Sequence, residues 1–123
     1  MLNFKKSAVL VALLPVITLW TQTANAETLK TKNFYVKITR NCSEGYVTCN
    51  NVKYFGKSLK TGESISLTGK TIHTTGADGV TPGRFLGYEF RNKNYLYQVT
   101  ADGALLIYQN KKLILKEQGA LTY

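Results

Sequence analysis

From residue 33 onward, apolar and polar side chains alternate with a period of two, and no window holds the 3.6-residue period of a helix. In Asn33 to Arg40, Phe34, Val36 and Ile38 fall on one side and Lys37 and Thr39 on the other, as in a strand buried on one face. Tyr46 to Cys49 and Val52 to Leu59 read as two further strands, separated by Asn50 and Asn51, which suit a turn. After a turn at Lys60 to Glu63, Ser64 to Thr74 alternates with Ile65 and Leu67 inward as far as Gly69. Ile72 then takes the opposite parity, and a bulge at Gly69 accounts for the change.

Thr74 to Gly83 holds three glycines and Pro82 with no apolar period, and is expected to be the longest loop. Beyond it, Arg84 to Arg91 places Leu86, Tyr88 and Phe90 on one face, and Tyr95 to Ala101 does the same with Tyr95, Tyr97 and Val99. Asp102-Gly103 tolerates the positive φ angles of a tight hairpin. Ala104 to Gln109 and Lys112 to Glu117 supply the last two strands. About eight short strands joined mostly by hairpins predict a small, single-domain, all-β antiparallel meander, either a closed barrel or a compact sandwich.

The N-terminus has a different character. Lys5 and Lys6 precede an apolar stretch from Ser7 to Trp20, and Ala24-Asn25-Ala26 puts small residues where a signal peptidase requires them. Residues 1–26 are therefore expected to be a cleaved export signal and residues 27–123 the β domain. The apolar stretch, broken by Pro15, is shorter than the roughly 20 residues a membrane-spanning helix needs, and no second one follows. Cys42 and Cys49 lie well past the cleavage point, which argues against a lipoprotein. The expected location is periplasmic or extracellular, with no transmembrane segment after cleavage. In that oxidising setting the two cysteines are expected to form a disulfide.

The chain carries sixteen Lys and Arg against seven Asp and Glu. Cleavage removes two of the bases and none of the acids, leaving fourteen against seven, a formal charge of +7 on 97 residues. Lys37, Lys53, Lys70, Arg91, Lys112 and Lys116 fall at outward positions. If the last strand lies beside the first, Lys112 and Lys116 join Lys37 in a candidate anion-binding patch. Most tyrosines are expected to pack in the core or at its rim; alternation does not place Tyr35, Tyr54 and Tyr108, for which an outward position beside lysines is the alternative to packing.

Catalytic and metal chemistry find little support. The single histidine, His73, and two cysteines fall short of a zinc set, so no metal is expected. Thr68-Gly69-Lys70-Thr71 ends like a phosphate-binding loop, but Ser64 stands where a glycine is required and a strand pattern replaces the helix. Lys60-Thr61-Gly62 lacks the Ser-x-x-Lys that would give it a nucleophile. No catalytic residues and no cofactor are assigned; His73, Asp78 and Arg84 stand as a candidate functional loop.

These readings lead to a monomeric, non-enzymatic envelope-binding module whose partner is an anionic envelope component or an acidic protein, with no specific nucleic-acid recognition. The alternative is an inhibitor or immunity protein that blocks an envelope-acting enzyme. In size, strand content and cysteine pair the chain resembles periplasmic lysozyme inhibitors. Against animal lysozymes, which are cationic, a +7 domain would be repelled on approach.

Overall fold

A computed structural model describes residues 25–123; the body of the expected export signal, residues 1–24, lies outside them. Nine strands follow one another: β1 (Asn25–Lys30), β2 (Phe34–Arg40), β3 (Val52–Ser58), β4 (Ser64–Thr75), β5 (Pro82–Asn92), β6 (Tyr95–Thr100), β7 (Ala104–Gln109), β8 (Lys112–Gln118) and β9 (Ala120–Thr122). All pair antiparallel in the order β8-β7-β6-β5-β4-β3-β2-β1-β9. Among the described residues no helix is long and apolar enough to cross a membrane.

The sheet curls into a nearly closed barrel, which decides against the sandwich. Closure comes from one run of chain changing partners: Gln118 at the end of β8 pairs with Ala104 on β7, and Ala120 at the start of β9 pairs with Lys30 on β1. Gly119 makes the step, because a Cβ there would lie 2.3 Å from the Lys30 carbonyl oxygen. Within the ladders β8 pairs with β7 alone, so a seam remains beside it. Glu117 spans the seam to the β1–β2 turn. Its Oε1 accepts from Thr31 Oγ1 at 2.7 Å and from the Asn33 backbone N–H at 3.1 Å, and its Oε2 accepts from Asn33 Nδ2 at 2.7 Å.

Partial burial works to raise the Glu117 carboxyl pKa, but the hydrogen bonds from Asn33 and Thr31, helped by the charge of Lys60, outweigh it and hold it below the ordinary range. A carboxyl depressed on folding contributes stability that is complete above its unfolded pKa and is lost as pH falls through the folded one. Thermal melts should therefore show the wild type losing stability between about pH 5 and 3. Glu117→Gln should be flatter across that window and lower by about 1–2 kcal/mol at neutral pH, discounted because solvent reaches the seam.

Inward positions form one core. Val36 and Ile38 of β2, Val52 and Tyr54 of β3, Tyr88 and Phe90 of β5, and Val99 and Leu105 meet with Leu29 of β1. β4 pivots between neighbours: Ser64–Gly69 pairs with β3, and Gly69–Thr75 pairs with β5. The expected bulge at Gly69 is absent. Register shifts fall instead between Ile72 and Thr75, and the inward parity runs through Gly69 to buried Thr71, leaving Ile72 on the other face. Gly69 is required for a different reason, the close approach of β5. On that strand, the same register irregularity brings Phe85 inward and leaves Leu86 exposed, reversing the simple alternation.

The expected strand at Tyr46 to Cys49 is not formed. Cys42 and Cys49 are bonded, with Cα atoms 5.8 Å apart, and close a loop in which Gly45 adopts φ +96°. Cys49 is then spent on β4: its N–H donates to Thr71 Oγ1 at 3.0 Å, and its carbonyl accepts from the Thr71 N–H at 2.9 Å. β1 and β9, which sequence alternation did not reveal, bring the strand number to nine. The expected long loop is also shorter, because β4 runs to Thr75 and β5 begins at Pro82.

Candidate functional site

Register places the outward side chains of β1 to β4 in rows. Lys30, Tyr35, Lys57 and Ser64 form one row, and Thr28, Lys37, Phe55 and Ser66 the next. The third contains Thr39, Lys53 and Thr68. Lys37 therefore sits at the centre, directly between Thr28 and Phe55, with Lys30, Lys53 and Lys57 each one diagonal step away. Diagonal neighbours on one sheet face are about 7–8 Å apart at their backbones, within reach of a common polyanion. All four lysines are exposed, Phe55 is exposed and Tyr35 is half-buried.

Tyr35, Lys37, Thr39, Lys53, Phe55 and Thr68 line an open groove of about 720 Å³ on this face. Lys53 Nζ donates to Thr68 Oγ1 at 3.1 Å along its floor. No carboxylate occupies an outward position in these rows. Among the described residues the ion pairs lie elsewhere, where Glu89 meets Lys70 and Arg91, each at 4.0 Å. The face thus combines unneutralised cations with two aromatic surfaces, an arrangement that attracts anions at long range and offers contact area at short range.

Lys112 and Lys116 do not join Lys37. They lie on β8, opposite Gln109 and Leu106, whereas the strand that closes on β1 is the three-residue β9. Tyr54, which alternation did not place, points inward and is 2 % exposed, with ring centroids 4.9 Å from Phe90 and 5.6 Å from Tyr97. Tyr35 and Tyr108 are half-buried.

His73, Asp78 and Arg84 do not converge on a shared site. His73 turns inward with its ring 5.6 Å from Phe85, and neither of its buried ring nitrogens has a hydrogen-bond partner among the described residues. Asp78 caps its own turn: one carboxylate oxygen accepts from the N–H groups of Val80 at 2.9 Å and Thr81 at 2.8 Å, and the other from Thr81 Oγ1. Chiefly through the Thr81 side chain, these bonds lower its pKa to about 2. Arg84 is exposed, and its backbone N–H donates to Thr74 Oγ1 at 2.7 Å.

One internal polar cluster escaped the sequence reading. Buried Glu27 accepts a hydrogen bond from the Tyr88 phenol, whose oxygen also accepts from Arg40 Nε at 3.1 Å. The Arg40 guanidinium lies 5.1 Å from the centre of the Phe85 ring and 5.3 Å from that of Tyr88, within cation–π range. Burial, then the bond to Glu27, pushes the Tyr88 phenol pKa far up, and Arg40 only partly opposes this. Sixty-one residues separate Glu27 from Tyr88, so no local motif could signal the pairing. The chain matches no protein-family model, no curated protein and no solved structure.

Proposed function

We propose that the protein is an exported, non-enzymatic module of the cell envelope that holds an anionic polymer on the outer face of β1–β3. The lattice of Lys37 with Lys30, Lys53 and Lys57, interleaved with Tyr35 and Phe55 and free of carboxylates, carries this reading. Repeated phosphates or uronates along a polymer can meet several ammonium groups at once, while its sugar faces rest on the aromatic rings. The basic N-terminal start, the apolar stretch and Ala24-Asn25-Ala26 support export, as does the cystine. Cleavage after Ala26 would remove only the first two residues of β1 and leave the Glu27 side chain available to Tyr88. Intact mass of the exported protein should begin at Glu27.

The binding test uses lipopolysaccharide and polyphosphate as probes. Changing Lys30, Lys37, Lys53 and Lys57 together to Gln should weaken binding about tenfold or more and flatten its salt dependence. The same charge removed at Lys93, Lys111, Lys112 and Lys116 should have a much smaller effect. Equal losses from the two sets would reject the face.

A second reading rests on a separate feature. The disulfide-closed loop displays Tyr46 at 70 % and Val47 at 61 % exposure. A pre-ordered loop with protruding apolar side chains suits an inhibitor directed at an acidic enzyme. Tyr46→Ala with Val47→Ser would then abolish binding to that enzyme, while the four-lysine variant would mainly slow association.

A further inference from the structure

The barrel interior is not filled at the end marked by the β3–β4 turn. A cavity of about 470 Å³ opens there. Phe34, Ile65, Ile107, Ile114 and Leu115 supply its apolar wall, and Tyr54, Tyr95 and Tyr97 its aromatic one. Gly56 occupies an inward position of β3 without a side chain, and the Tyr54 ring lies across it; a Cβ there would be 2.6 Å from Tyr54 Cε1 and 2.7 Å from its oxygen. The tyrosine rings continue as a series, with centroids 5.6 Å apart from Tyr54 to Tyr97 and 6.4 Å from Tyr97 to Tyr95.

Two further observations define what this space suits. Tyr54 is 2 % exposed and lines the cavity, yet no described residue hydrogen-bonds its phenol. Burial, with Tyr97 beside it, keeps that phenol protonated far above the ordinary tyrosine range, so it remains a hydrogen-bond donor. The lining contains no lysine or arginine, and its one charged side chain is Glu63 at the exposed rim. An anion would therefore lose its hydration with no cation to replace it, the opposite of the outer face.

We propose that this cavity binds an uncharged, largely apolar small molecule carrying one hydrogen-bond acceptor, which accepts a hydrogen bond from the Tyr54 phenol. The volume lies within the range of small-molecule sites and, at interior packing density, takes on the order of fifteen to twenty non-hydrogen atoms. Small barrels commonly hold such ligands inside. This site is independent of the lysine face, and its binding is insensitive to salt.

The test uses N-phenyl-1-naphthylamine as a fluorescent probe and its sulfonated relative 1-anilinonaphthalene-8-sulfonate as the anionic control. The neutral probe should bind with a blue shift at both low and high salt, and the sulfonate at least about tenfold more weakly. Benzophenone should displace the probe about three- to tenfold better than diphenylmethane, which has the same rings but no carbonyl. In Tyr54→Phe, which removes an oxygen that has no protein partner, that preference should disappear while probe binding persists. Ile114→Trp at the exposed mouth should abolish probe binding with the circular dichroism spectrum unchanged. Equal binding of the sulfonate, a carbonyl preference surviving in Tyr54→Phe, or probe binding surviving in folded Ile114→Trp would overturn the assignment. Persistence of probe binding in the four-lysine variant keeps this result separate from the fate of the outer-face proposal.

Discussion

Gly69→Ala should cost the domain more than about 3 kcal/mol, a large share of a total on the order of 5–15 kcal/mol for a fold of this kind. A Cβ at this position would lie 1.9 Å from the Glu89 carbonyl oxygen and 2.5 Å from Phe90 Cδ1. The oxygen is main chain in the middle of β5 and cannot swing away. Moving it would break the pairing of Gly69 with Phe90 at the point where β4 transfers from β3 to β5, and would displace Phe90, which is fully buried. Urea denaturation followed by circular dichroism measures the effect. Ser66→Ala, an exposed change on the same strand, should remain within about 0.5 kcal/mol of wild type. A Gly69→Ala midpoint close to that control would show that β4 and β5 do not approach this closely.

Removing the cystine should have the next largest effect. For an eight-residue ring the loop-entropy relation gives about 2.5 kcal/mol, and the buried seat of Cys49 adds to it. Cys42→Ser combined with Cys49→Ala should therefore cost about 3 kcal/mol, and reductant should bring the wild type to nearly the same denaturation midpoint. The damage should spread from the loop into β4, because the backbone of Cys49 hydrogen-bonds both the N–H and the hydroxyl of Thr71. Hydrogen exchange should accordingly report faster opening at Thr71 than at Val99. A double variant with unchanged stability would mean that contacts in the loop hold it without the cross-link.

The legible parts of this fold are those in which neighbours along the chain carry the information. Phe34, Val36 and Ile38, or Tyr95, Tyr97 and Val99, declare a face within five residues, and the structure places both sets inward. Tyr46 to Cys49 has strand composition, but the cross-link and the positive φ of Gly45 turn it into a loop. Leu86 and Phe85 exchanged roles because one register irregularity on β5 falls between Phe85 and Gly87 and reverses parity on its N-terminal side, while Tyr88 and Phe90 beyond it stay inward. Tyr54 was left unplaced for a related reason: it alternates with Val52 and Gly56 on an inward row, and the gap at Gly56 becomes visible only when the tyrosine ring is seen lying across it. Of the candidate patch, Lys37 alone lies on the lysine face.

Period-two alternation, turn chemistry and two cysteines in a chain expected to be exported were enough to specify an antiparallel all-β domain with a cystine, because each is a property of adjacent or nearby residues. Barrel rather than sandwich, the strand that closes on β1, the lysines that become neighbours and the cavity beside Tyr54 all depended on register between segments far apart in the chain. Register is selected by packing across the whole sheet, by bulges and by glycines that admit a neighbouring backbone, so it has no local signature. Closure on β1 by β8 in place of β9 would have set different lysines side by side while leaving every strand in the same place along the sequence.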